Sequence, residues 1–570
     1  MASRALLGPL ARRVRVTSAH ARRALSSDAA DAWEAGQPTH KTHPWLLSSP
    51  EELSAGGFTL SDYASRRERL LSSMPEGSVA AVFSAPPAYM SGIIPYPYRP
   101  GTDLRYLTGL VQPGCLAIVS KACGFHLVVP DHDPERERWD GRQATPRAAV
   151  EALGADGASY ASRVPSSVSS LVSAAAARGA LFLSGRPAPE GGPLARAFSE
   201  WFRAGGRSPR ALPLSRHLHR LRWKKDAKEL ALMRASARTA SLEVARAAKR
   251  SGATVRREGG ALEGAIAAGF EARVRERGAD RLSYPSVVAA GANATVVHYS
   301  RADCRGVAGQ LLLMDAGCEL DGYCSDVTRA WPLSGAFSPA QRDVYQAVLD
   351  ARRACAAAVR PGATLREMHA ISVRTLAQAM ADLGLLDRGW KERMEREQGG
   401  GAANAAANDA VNGAVNGAAN AASTAASSAG PAGAGSLASL LASSASGLLS
   451  GALPRLAPAV AASRLVTSGR YRELYPHSVG HWLGMDTHDS ADVSHDTPLE
   501  EGVVLTIEPG LYVPDDPSRF GPYAGIGVRL EDDIAVTATG AEVLSCLAPL
   551  EVPEVEACVQ GVWMLQGDPE

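Results

Sequence analysis

The sequence predicts a mixed α/β (α+β) protein of two domains, on three observations. From residue 57 to about 205, short apolar runs of strand length alternate with amphipathic helical patterns. Near 212 the pattern changes to a long helix followed by further strand-like runs. In that second region four acids, Asp315, Asp326, Glu508 and Glu531, lie within or beside apolar runs, where a carboxylate must be paired, protonated or bound to a metal.

The elements follow in order. Residues 28–56 are polar and broken by Pro, Gly and His, and read as an extended lead-in. Within the first domain, 57–205, DYASRRERLLSSM (62–74) predicts a helix with Asp62 near its start. SVAAVFSA (78–85) and CLAIVS (115–120) predict buried strands. The second domain spans 212–548. Its first helix covers 224–250, with Leu230, Met233, Ala237 and Ala240 at helical spacing and Gly252 as the stop. Another helix is expected around 260–277. Strands are expected at SVVAAG (286–291), TVVHYS (295–300) and LLLMDAG (311–317). A helix follows at 338–359, with Ser338 as N-cap and Pro339 in the first helical position. VVLTIEPGLYV (503–513) and GIGVRLEDDIAVT (525–537) predict strands that carry Glu508 and Glu531. Asp321-Gly322 is a hairpin turn signal, which would put Asp315 and Asp326 on neighbouring strands.

Two segments differ in kind. Residues 399–452 are almost all Ala, Asn, Gly and Ser, too poor in large apolar groups to offset the entropy of ordering. A low-complexity insertion is therefore expected at 399–468, with SLASLLASS (436–444) as a short helix. Residues 1–27 hold six arginines, at 4, 12, 13, 15, 22 and 23, and no acid. That composition predicts an organelle transit peptide, with a mitochondrial (matrix) address and a plastid as the alternative.

Composition excludes other classes. The net charge of +1 leaves no electrostatic footprint for nucleic acid. No run of 18 apolar residues is present, so no membrane span is expected. Eight cysteines are scattered without a CxxC pair, which predicts reduced thiols rather than a thiolate metal site.

Four carboxylates gathered near a core repel one another, and divalent cations remove that conflict. An oxygen-rich site with one imidazole suits Mn²⁺, Co²⁺, Fe²⁺ or Zn²⁺. The imidazole is available at His477, His481 or His488. Two metals held by bridging carboxylates activate a water for hydrolysis.

The ordered set DAG…SD.TR, HSVGHWLGMDTHD, TIEPGLY and GVRLEDDI resembles the pita-bread metallopeptidase family, over roughly residues 50–545 less the insertion. The resemblance implies a creatinase-like α/β N-terminal domain followed by a pita-bread catalytic domain. It implies two divalent metal ions, usually Mn²⁺ in the aminopeptidase P branch. Asp315 would hold one, His481 and Glu508 the other, and Asp326 and Glu531 would bridge them. It places His298, His477, His488, Tyr512 and Arg529 around the substrate, with His298, His488 and Glu508 in the chemistry. Arg529 and Glu531 share a strand face, so an ion pair between them is expected.

GQPTHKTHPWLL (36–47) and IPYPYRPGTDLRYLTGL (94–110) resemble the organellar aminopeptidase P group. The family's Arg-Gln-Asp-x-Asp reads Arg99-Pro-Gly-Thr-Asp103 here. The implied function is hydrolysis of the first peptide bond of peptides or imported proteins, at Xaa-Pro or after one bulky residue left by presequence removal. Peptide or protein N-termini are the implied partners, and a homo-oligomer the implied assembly. A prolidase-type dipeptidase and a non-catalytic pita-bread binding protein are the alternatives. In ARRALSS, a cut after Ala24 would leave Leu25 for this chain to remove from its own start.

Overall fold

The computed structural model describes residues 35–186, 192–204, 211–385 and 457–563. The segments where a transit peptide and a 436–444 helix are expected lie outside these residues. The lead-in, where described, is a series of turns rather than an extended strand. Buried Ala35, Leu47 and Leu53 and the Gln37 bond to the Gly109 carbonyl hold it against the first domain.

The first domain is a six-stranded mixed sheet. Its spatial order is Gly157–Tyr160, Gly124–Val129, Leu116–Ser120, Val79–Phe83, Leu181–Ser184 and Ala211–Pro213. The last strand lies beyond the expected boundary at 205, because it completes the edge beside Leu181–Ser184. The central strand alternates faces. Ala80 and Val82 pack with Leu70 of the helix Leu60–Ser73, while Val79, Ala81 and Phe83 pack with Val172 and Phe198 on the other side. The first helix starts where Thr59 and Asp62 form a capping box, the Asp62 that the sequence placed near its start.

The helix Ser215–Trp223 leads into the second domain. The long helix runs Ala227–Glu258, through Gly252, and stops at Gly259 in the left-handed conformation. Gly252 serves packing instead: a Cβ there would sit 2.5 Å from Val559 Cγ1 of the helix Val552–Gln560.

Three small antiparallel sheets follow. One orders Val287–Ala290, Leu311–Ala316 and Val327–Pro332; the second orders Val504–Ile507, Asp532–Val536 and Ala541–Val543; the third orders Arg281–Leu282, Cys318–Leu320 and Tyr323–Cys324. The pair Gly510–Tyr512 and Gly527–Arg529 adds a two-stranded ladder. Pro339–Ala358 begins at a Ser338–Gln341 capping box and packs beside Leu365–Asp382.

TVVHYS is not a strand. A 3₁₀ turn covers Gly291–Thr295, and the chain turns again through 296–299. Tyr299 anchors that turn by burying its hydroxyl against Glu263, which overrides the β preference of Val296 and Val297. The insertion expected at 399–468 lies mostly outside the described residues, yet its last part, Ala457–Ser468, is a helix. Buried Ala461, Ala462 and Leu465 join the core there, and the helix packs against Leu365–Asp382, so that stretch belongs to the folded domain.

Candidate metal centre

The hairpin brings the first two acids together. Asp321 and Gly322 both take positive φ (47° and 85°), as the tight turn between Cys318–Leu320 and Tyr323–Cys324 requires. Leu311–Ala316 then pairs with Val327–Pro332, setting Asp315 opposite Thr328 with Asp326 just ahead of Val327. The other acids arrive from the second sheet: Glu508 follows Val504–Ile507, and Glu531 precedes Asp532–Val536.

His481 faces this group. Its Nε2 lies 3.4 Å from Asp326 Oδ2 and 3.6 Å from Glu508 Oε1. One donor atom from each of Asp326, His481 and Glu531 fits within 4.8 Å of the others. His477 is four residues earlier but not on a helix. Its Nε2 meets Tyr512 Oη at 2.8 Å, and its Nδ1 lies 3.9 Å from Glu508 Oε2. His488 packs its ring edge-on against His481, centroids 4.3 Å apart. His298 is exposed on the turn after Thr295, near enough to bear on both His477 and His488.

The expected partner of Arg529 is corrected. Its Nη2 binds Asp315 Oδ2 at 2.5 Å, its Nη1 donates to Tyr512 Oη, and its Nε donates to Thr328 Oγ1. Glu531 is held by Thr328 Oγ1 at 2.7 Å instead. The chain changes course between Gly527–Arg529 and Asp532–Val536, so the same-face rule of a continuous strand does not carry from 529 to 531.

The protonation pattern follows from crowding. Burial first, and then the Glu531 charge, push Glu508 up to about 8. Burial and neighbouring carboxylates raise Asp326 and Glu531 well above the ordinary range. Burial lowers His477 to about 4, which leaves it neutral, and burial followed by His481 lowers His488. Arg529 keeps its charge against burial because Tyr512, Asp315, Glu531 and Glu508 outweigh it.

Two contacts test whether these residues fit a divalent cation. His481 Nδ1 faces the Trp482 carbonyl at 3.2 Å, which fixes the proton there and turns the Nε2 lone pair toward two carboxylates. Acceptor facing acceptor needs a proton or a cation between them, and a divalent cation serves both carboxylates at once. Likewise the Tyr284 hydroxyl lies 2.5 Å from Asp315 Oδ1 and bonds Asp326 Oδ1 as well. It has one proton to donate, so the second contact needs a protonated carboxyl. The donor set fits.

Sequence reasoning missed Tyr284, Thr328 and Asp533. Asp533 accepts the Asp326 backbone N–H at 3.1 Å from a fully buried position. Thr328 was findable, being two residues after Asp326 and hence on the metal-facing side of the strand. Tyr284 sits in RLSYPS, a segment with no periodic signal. A second acidic group, Glu263, Asp303 and Cys304, is structural: Ala290 N, Asn293, Tyr299 and Cys304 N already occupy Glu263.

Comparison with known proteins identifies the family. Residues 231–406 and 443–538 match metallopeptidase family M24, and residues 63–180 match the aminopeptidase P N-terminal domain. The mitochondrial intermediate cleaving peptidase 55 of Arabidopsis thaliana is 33% identical over 96% of this chain and 92% of its own. Xaa-Pro aminopeptidase 3 of Homo sapiens is 28% identical over 91% of this chain and 90% of its own. Among solved structures, Pseudomonas aeruginosa aminopeptidase PepP superposes with a TM-score of 0.66 at 28% identity, covering 89% of this chain and 99% of that one. Proline aminopeptidase P II from Yersinia pestis gives 0.67 at 29% identity, covering 88% and 100%.

Proposed function

The chain belongs to metallopeptidase family M24, in the aminopeptidase P branch, and on that premise we propose a two-metal aminopeptidase that removes one residue from peptide or protein N-termini. The observation that carries the reading is His481 Nε2 facing both Asp326 and Glu508 beside Glu531, a donor set that suits a divalent cation. Asp315, Asp326, His481, Glu508 and Glu531 would hold two divalent ions, Mn²⁺ by resemblance. Bound there, the ions would supply Lewis acidity and an acidified water.

The chain's own groups do the rest. Glu508 accepts the proton of the attacking water and returns it to the leaving amine as the C–N bond breaks. Neutral His488 donates a hydrogen bond to the carbonyl oxygen as charge develops there. His298 at the exposed turn contacts the bound peptide. Arg529, Tyr512 and His477 form a relay of hydrogen bonds that orients Asp315 and ends at the Ser478 carbonyl, with the His477 ring 3.9 Å from Glu508.

Both Xaa-Pro peptides and proteins with one bulky residue left by presequence removal suit this reading, and the matrix of the mitochondrion, or a plastid, supplies the latter. Assembly as a homo-oligomer has support in the hairpin Tyr89–Ser91 and Ile94–Pro95, which exposes Tyr89, Met90, Ile93, Ile94 and Tyr96. The deciding experiment uses protein lacking residues 1–25, loaded with Mn²⁺, beside an Asp326→Ala control. Release of the first residue is compared between Xaa-Pro-Xaa peptides and peptides beginning Leu-Ser or Tyr-Ser. Cleavage of neither set by fully loaded protein would overturn the proposal.

A further inference from the structure

His488 sits in a stretch, 483–490, with no helix or strand to fix it. Backbone bonds from Leu483, Gly484 and Asp489 fix part of its course, and the flanking aspartates add a side-chain grip. Asp486 Oδ2 accepts from Arg222 Nη2 at 2.6 Å and from Thr102 Oγ1 at 2.9 Å; Asp486 Oδ1 accepts from Arg99 Nη1 at 3.1 Å. Asp489 Oδ1 accepts from the same Arg222 Nη2 at 2.5 Å, and Lys225 Nζ lies 3.5 Å from Asp489 Oδ2. Arg99 Nη2 also donates to the Met485 carbonyl at 2.8 Å. The other arm of Arg222 binds Asp103 Oδ1 of the first domain at 2.7 Å.

One planar guanidinium therefore fixes the span between Asp486 and Asp489, and His488 lies inside that span. The side chains of Arg222, Lys225 and Asp489 are 3%, 1% and 1% exposed, so water does not screen that half of the grip. Arg222 is shared among Asp103, Asp486 and Asp489, and Arg99 between Asp486 and Glu319. The helix bearing Arg222 touches the following segment elsewhere too: His219 accepts the Asp492 N–H, and Arg220 reaches Glu500.

We propose that Arg222, on the helix joining the two domains, is a positioning residue for His488, with Arg99 of the first domain as its second anchor. The inference rests on the catalytic reading of His488 above. It gives the first domain a part in the chemistry: its Arg99, Thr102 and Asp103 complete the clamp.

The test uses the metal-loaded chain carrying Arg222→Lys, which keeps the charge but not the fork, and Arg99→Ala, a partly exposed position whose other partner, the buried Glu319, keeps Arg281. Hydrogen exchange should rise in 483–490 and stay unchanged in 327–332. In each variant kcat should fall about tenfold, with KM within about twofold and metal content equal to wild type. In a His488→Ala background the further loss should shrink below about twofold, since the clamp acts through His488. Unchanged exchange in 483–490 in both variants would overturn the proposal, as would losses that multiply with His488→Ala or track lost metal. The exchange readout needs no turnover, so an inactive wild-type enzyme would sink the peptidase reading while still deciding the clamp.

Discussion

Arg529 grips Asp315 through an Nη2–Oδ2 contact of 2.5 Å, with the guanidinium 2% exposed. One carboxylate oxygen is thereby committed to the arginine. The same fork reaches Tyr512 and Thr328, so it orients Asp315, the Tyr512–His477 pair and the Glu531 support at once. Arg529→Lys retains charge but cannot hold three partners. Metal affinity should drop about 10–100-fold, as for other residues that orient ligands. Calorimetric Mn²⁺ titration checks this, and unchanged affinity would refute it. Arg529→Ala should also cost about 3–5 kcal/mol of stability by stranding a buried carboxylate.

Tyr284 predicts a different signature. Its hydroxyl lies between Asp315 and Asp326, where it relieves the crowding of carboxylates that lack a cation. Tyr284→Phe should destabilise the metal-free protein by about 1–3 kcal/mol, the cost of an unsatisfied buried polar group. The loaded protein should lose less, because the cations then satisfy the same oxygens. Denaturant melts with and without Mn²⁺ measure both. An equal loss in the two states would remove Tyr284 from the site's electrostatics.

What the sequence made legible was pattern tied to periodicity. The Asp315–Asp326 hairpin was readable because Asp321-Gly322 announces its turn and the apolar flanks announce its strands. The N-caps Ser338 and Thr59–Asp62 were readable from local chemistry. Long-range choices were not. Gly252 reads as a stop but is a contact with a helix 300 residues later, and Val296–Val297 read as strand until Tyr299 finds Glu263. Arg529 chose Asp315 over its neighbour Glu531 because the strand breaks between them, which no spacing rule reports. Arg222, a basic residue in a basic run, gave no hint that three aspartates converge on it.

The glycines of DAG and VGHW are required by space. A Cβ on Gly317 would lie 1.8 Å from the Ser325 carbonyl oxygen, and one on Gly480 1.9 Å from that of Thr506. Those carbonyls belong to backbone that cannot rotate aside. Gly480→Ala would pry apart the segments joined by the Thr506 N–H bond to the His481 carbonyl at 2.9 Å, displacing a ligand. Each substitution should cost about 1–3 kcal/mol or more and lower Mn²⁺ content. Gly540→Ala, with nothing within 4 Å, is the control and should do neither. Wild-type metal content and melting in Gly480→Ala would contradict the close-approach argument.

Metal removal should make stability depend on pH with a definite sign. In the metal-free fold Glu508 is raised to about 8 by burial and then by Glu531, and Asp326 and Glu531 are raised with it. An unfolded glutamate titrates near 4.3. Between these values the folded chain binds more protons than the unfolded one, so its stability falls as pH rises. The contribution is fully present below the unfolded pKa and is lost as pH climbs through about 8. The apo protein should therefore melt at progressively lower temperature from pH 5 to pH 8. Cations bind only the deprotonated ligands, so loading at pH 7 should release on the order of one proton or more per chain. The stabilisation gained from Mn²⁺ should accordingly widen with pH over the same window. Thermal melts of chelated and loaded protein at pH 5, 6, 7 and 8, with calorimetry in two buffers of different ionisation enthalpy, measure both quantities. A metal-induced gain that is flat across the series, with no proton released, would mean that these carboxylates are already ionised in the apo fold and that the crowding argument for the site is wrong.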